Sequence, residues 1–153
     1  MKLAEGLSLR AQLNNKISQL KTRLNDCIKI QEGDVPSETP EAVVDELDKT
    51  LAESQRLIYL INMTNATTLT DDGRNITALL AERDALGQKV KALNDALRTI
   101  TEKESRYSRS EIKYVRTVDV GEFRRLYDKS ASELRKLDLR IQGLGFTTDL
   151  VEE

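Results

Sequence analysis

Apolar residues recur at alternating steps of three and four along four stretches of the chain, the spacing that lines one face of an α-helix. In the first stretch, near residues 3–31, Leu13, Ile17, Leu20, Leu24 and Cys27 form one seam, and Gly33 supplies the stop. The second opens where Thr39 precedes Pro40, an N-cap followed by proline at the first helical position. It runs to about residue 65 through Val44, Leu47, Leu51, Ile58 and Ile61, with Ser54 and Asn65 as polar interruptions of the same register. The third, near 76–104, carries Leu79, Leu86, Val90, Leu93, Leu97 and Ile100, broken by Arg83. The fourth, near 120–143, follows the Asp-x-x-Glu spacing of a capping box at Asp119 to Glu122 and continues through Tyr127, Ser130, Leu134, Leu137, Ile141 and Leu144. Gly143 and Gly145 are expected to end it, leaving Phe146 and Leu150 free to fold back.

These stretches predict an all-α fold, read as one helical domain over residues 1–153. The short connections at 32–39 and 66–75 force neighbouring helices to run antiparallel, as a four-helix bundle or as paired helical hairpins. Each helix would be on the order of 40 Å long, too long to wrap one compact core, and aromatic residues are only 4% of the chain. Apolar seams left over need a partner, so a homo-oligomer is expected.

Two segments break the helical pattern. From Asn62 to Asn75 the composition turns to Asn, Thr and Asp, with a turn at Asp72-Gly73. Asn62, Asn65, Asp71 and Asp72 are candidates for a small polar site, such as a cation held by oxygen ligands, although the spacing does not match an EF-hand loop. The alternative is a connection whose side chains cap two helix ends through hydrogen bonds to the backbone. Between the third and fourth helices, residues 105–118 cluster β-branched and aromatic residues, which predicts a structured loop or one short strand pair.

That loop is also basic. Arg106, Arg109, Lys113 and Arg116 face only Glu111, and Tyr107 and Tyr114 are interleaved among them. Basic plus aromatic is the pattern of phosphate or single-stranded nucleic-acid binding. It equally suits docking on an acidic surface, and residues 32–53 hold eight acids against the single Lys49. The balance of 24 Lys and Arg against 26 Asp and Glu offers no wider basic field, which favours the protein contact over nucleic acid.

Composition closes off several chemistries. Ala, Glu, Lys, Leu and Arg make up nearly half the chain, as in long helices and coiled coils. Histidine and tryptophan are absent, and Cys27 is the single cysteine. Histidine-based triads, His-ligated zinc or haem and an internal disulfide are therefore excluded. A Glu-x-x-His motif, needed for the di-iron sites that four-helix bundles host, cannot occur. No Gly-rich phosphate loop or Gly-x-Ser-x-Gly elbow is present. The sequence thus presents no catalytic residues, no cofactor site and no metal site beyond the polar candidate, and the expectation is a non-enzymatic structural or interaction protein. Cys27, on the buried seam, is expected to serve as a small core hydrophobe. No apolar run is long enough to span a membrane, and no signal peptide opens the sequence; with an unpaired cysteine this gives a cytoplasmic expectation.

Several strings together resemble a known family. They are Met1-Lys2-Leu3-Ala4-Glu5, Gln31-Glu32-Gly33-Asp34, Ile61-Asn62-Met63-Thr64-Asn65, Asp72-Gly73-Arg74, Arg83-Asp84, Arg106-Tyr107-Ser108-Arg109-Ser110-Glu111-Ile112 and Leu137-Asp138. The chain is similar, over nearly its whole length, to the small bacterial proteins labelled septicolysin. The resemblance implies a helical, cytoplasmic-type protein, and the label implies lysis of membranes. Where that family carries Asn-Trp near the C-terminus, this chain has Gly145-Phe146. A mean hydropathy of -0.50 opposes the lytic implication, because a helical pore-former must offer lipid an apolar hairpin.

Overall fold

The computed structural model of the chain describes residues 1–102 and 112–152. It is all-helical, with α1 at Leu3–Ile28, α2 at Pro40–Thr67, α3 at Ile76–Thr101 and α4 at Val120–Thr147. Among the described residues there is no strand, and two isolated antiparallel bridges join Lys2 with Asp149 and Leu69 with Asn75. The expected strand pair after α3 does not appear in residues 112–117, which carry no regular structure; the rest of 105–118 lies mostly outside the described residues. The chain divides into two compact units, Met1–Ile76 with Gln142–Glu153, and Thr77–Ile141.

In the first unit α1 and α2 form an antiparallel hairpin. The near-C-terminal Arg23 of α1 meets Glu38 and Glu46 around the start of α2, whereas the side chain of Leu57, late in α2, lies against Gly6 at the other end. Leu20, Cys27 and Val43 form a buried cluster, with Leu24 and Leu47 packed against it. The α1 seam runs where the sequence puts it. The α2 seam does so only in part: Ser54 and Ile61 are buried as expected, but Val43, Thr50, Leu57 and Thr64 share their line, while Val44, Leu51 and Ile58 are exposed. The buried line is rotated because hydroxyls can be hidden when the helix itself accepts their protons. Thr50 donates to the Glu46 carbonyl at 2.8 Å and Thr64 to the Leu60 carbonyl at 2.8 Å.

Helix ends follow local chemistry. Thr39 Oγ1 accepts the Ala42 amide at 3.3 Å, and Asp119 Oδ1 accepts the Glu122 amide at 2.8 Å, as the capping patterns predict. α1 stops at Ile28, three residues before the expected Gln31, and Gly33 serves a different purpose. At φ +90° it occupies the third position of a turn closed by the Asp34 amide on the Gln31 carbonyl at 3.1 Å. α4 continues through Gly143 and Gly145 to Thr147 instead of ending at 143. Gly145 is buried against Ala4, where a close approach of the two backbones has more value than a stop. Leu150 folds back over Gly6 as expected, whereas Phe146 stays within α4 and is exposed.

The termini of the first unit are stitched together. The Leu3 amide donates to the Thr148 carbonyl at 2.9 Å and the Leu150 amide to the Met1 carbonyl at 2.8 Å. Lys2 Nζ reaches Asp149 Oδ1 at 2.7 Å and the Thr147 carbonyl at 3.3 Å, so one cation serves both the ion pair and the C-terminal end of α4. In the second unit α3 and α4 also run antiparallel. Arg83 lies 3.9 Å from Asp138 near one end, and Ile100 shares a groove with Val118 and Phe123 near the other.

Candidate functional site

The two sequence candidates are built very differently. The polar segment 62–75 resolves into the end of α2 and a tight hairpin. Asn62 is exposed and Asn65 half-buried on α2, while Asp71 and Asp72 stand in the turn. The Gly73 amide donates to the Thr70 carbonyl and the Thr70 amide to the Arg74 carbonyl, both at 2.8 Å, with Gly73 at φ +78°. This is a three-residue loop in which a left-handed residue completes the reversal. The Asp72 carboxylate is taken up inside it: the Thr70 hydroxyl donates to it, and Arg74 does so through Nε at 3.0 Å and Nη2 at 2.8 Å. Asn75 Nδ2 donates to the Ala66 carbonyl at 3.1 Å, one of the orphan carbonyls at the end of α2. No group of three or more acidic or cysteine side chains among the described residues could hold a metal ion.

Of the basic loop, Arg106, Tyr107 and Arg109 lie outside the described residues. Lys113, Tyr114 and Arg116 are exposed. Arg116 Nη2 donates to the Ile100 carbonyl at 3.2 Å, where the C-terminal turn of α3 leaves carbonyls unpaired. Tyr114, Arg116 and Val118 line an open groove of about 710 Å³ whose other wall is Ala96, Thr99 and Ile100 of α3 and Phe123 of α4. Among the described residues its lining mixes a guanidinium, a phenol and aliphatic groups with the carboxylate of Glu102. A second groove of about 550 Å³ in the same unit is lined by Gly87 and Leu134 together with Arg83, Asp84, Gln88, Lys91 and Asp138.

The acidic surface before and along α2 is met by α1. Arg23 Nε donates to both Glu38 oxygens at 3.1 and 3.0 Å, its Nη2 also contacts Glu38, and the same Nη2 reaches Glu46 Oε2 at 3.1 Å. Lys16 Nζ stands 3.6 Å from Glu46. The hydrogen bonds that Arg23 donates hold the Glu38 carboxyl below the ordinary carboxylate range, and the same bonds raise the guanidinium above its own ordinary value. Asp149 is likewise lowered by its hydrogen bond from Lys2.

Residues 10–150 match the family described as a family of unknown function, DUF6847. The chain belongs to DUF6847. The match takes in both helical hairpins and stops short of the first turns of α1. A crystal structure described as a functionally unknown conserved protein from Corynebacterium diphtheriae is 40% identical, covers 99% of each chain and superposes with a TM-score of 0.91. No curated protein matches. No helix among the described residues is long and apolar enough to cross a membrane.

Proposed function

We propose that this DUF6847 protein is a self-associating helical interaction protein and that it performs no catalysis. The supporting observation is the surface of α2. Exposed apolar residues scattered singly are ordinary, but Val44, Leu51 and Ile58 are exposed at the helix repeat, and Tyr59 and Met63 extend the apolar surface toward the end of α2. Amphipathic helices in water carry such lines to meet other helices. Sedimentation equilibrium at micromolar concentration tests the reading: a mass above 17.3 kDa supports it, and a monomer overturns it.

A second reading is favoured by the exposed ring of Tyr114, which lines the α3/α4 groove next to Lys113 in the chain. Stacking on the phenol with cations alongside would suit a single-stranded nucleic acid. Binding of single-stranded RNA that weakens steeply with salt would support this reading; unchanged fluorescence anisotropy of a labelled oligonucleotide would remove it.

A further inference from the structure

The exposed residues of α2 follow a rule. Val44, Leu51 and Ile58 repeat every seven residues, and each follows by one a member of the buried line Val43, Thr50 and Leu57. One residue is about 100° around a helix, so the second line faces the quadrant beside α1. Their side chains are 39%, 44% and 40% exposed. On α1 the equivalent positions, one after Gly6, Leu13, Leu20 and Cys27, are Leu7, Asn14, Lys21 and Ile28. The hairpin therefore offers an apolar outer stripe on α2 and a mixed one on α1.

The charge along α2 selects what the stripe can meet. Glu41, Asp45, Glu46 and Asp48 crowd its first half, while Leu57–Thr67 carries no charge at all. A parallel pairing of two α2 helices would stack the acidic halves on each other and align their dipoles. An antiparallel pairing centred on Leu51 sets Val44 of each copy against Ile58 of the other. It also lays each acidic half beside an uncharged one.

From this stripe and this charge asymmetry we infer that α2 is the two-fold interface of a homodimer, in which two copies pair antiparallel through Val44, Leu51 and Ile58 with Leu51 on the axis. The inference rests on the self-association proposed above and adds its surface, partner and geometry.

Cysteine cross-linking in a Cys27→Ala background tests it. Helix axes about 8–10 Å apart bring facing Cα atoms within disulfide reach. Leu51→Cys should therefore form a disulfide-linked dimer under mild oxidation. Val44→Cys alone should not, since its two copies would lie on the order of 20 Å apart, whereas a mixture of Val44→Cys and Ile58→Cys chains should. Leu51→Asp should shift sedimentation to the 17.3 kDa monomer with helical circular dichroism unchanged. A wild-type monomer would overturn the proposed self-association itself. A wild-type oligomer that survives Leu51→Asp, with no Leu51→Cys cross-link, would overturn this interface alone. Self cross-linking of Val44→Cys would overturn the antiparallel arrangement.

Discussion

The Thr64 hydroxyl accepts the backbone amide of Val151 at 3.0 Å while donating its own proton to the Leu60 carbonyl at 2.8 Å. One buried oxygen thus ties the last turn of α2 to a segment 87 residues further along the chain. Thr64→Val keeps the shape and deletes both roles, leaving the Val151 amide without its acceptor. The expected loss is about 1–2 kcal/mol. Thr64→Ser, which keeps the oxygen, should lose less. Urea denaturation of the two variants side by side checks the order, and equal stability of wild type and Thr64→Val would dismiss the bond's contribution.

Glycine-to-alanine exchange should change sign with position. Gly87 lies inside α3 with nothing within 4 Å of where a Cβ would stand, so Gly87→Ala should stabilise by about 0.5–1 kcal/mol through helix propensity. Gly73 has the same open space but a left-handed backbone at φ +78°, so Gly73→Ala should destabilise by roughly 1 kcal/mol. Thermal melts with opposite shifts are the expected result.

The ion pairs of the first unit predict an acid limb. Glu38 and Asp149 have folded-state values below their ordinary ones, so they favour the folded state above the ordinary carboxylate range, and that contribution is lost as pH falls through the lowered values. Both pairs are well exposed, so added salt should weaken the effect. Glu38→Gln should flatten the decline of melting temperature below the carboxylate range relative to wild type. A decline of unchanged steepness would assign the acid limb to other carboxylates.

Four helices with buried seams on α1, α3 and α4 were legible because their apolar residues dominate one face: Leu13, Leu20 and Cys27 on α1, Leu79 and Leu97 on α3, Leu137 on α4 are all buried. Caps at Thr39 and Asp119 were legible because their side chains act within three residues. The α2 seam was misread in part because periodicity counts apolar residues: Ser54 was placed in its register, but the buried Thr50 and Thr64 were passed over. A hydroxyl that bonds its own helix is nearly as easy to bury as a methyl group, and this is invisible to a hydrophobicity pattern. The same error hid the outer stripe, since Val44, Leu51 and Ile58 had been assigned to the core. The union of Lys2 with Asp149 was illegible for another reason: no local spacing records a contact across nearly the whole chain.

Membrane lysis, which the resemblance to septicolysin-labelled proteins implies, leads to a direct test. The most apolar stretch, around Leu51 to Ala66, includes Glu53 and Arg56, and a charge at the bilayer centre costs roughly 2.5–3.5 kcal/mol even on lenient scales. Dye-loaded liposomes should stay intact in the presence of the purified protein at neutral pH. Rapid release at nanomolar protein would establish lysis and overturn the reading of α2 as a helix that meets only protein.

The division of the chain has a consequence for its birth on the ribosome. Thr77–Ile141 is continuous in sequence, whereas the other unit is assembled from residues on both sides of it. The α1/α2 hairpin emerges first, but Leu150, which covers Gly6, and the amide that Thr64 accepts are made only after all of α3 and α4 have been translated. The host therefore stays open until the whole of the nested unit has been made. During that interval the newborn hairpin presents Gly6, Leu57 and Thr64 to whatever waits at the tunnel exit, a chaperone or a second nascent chain.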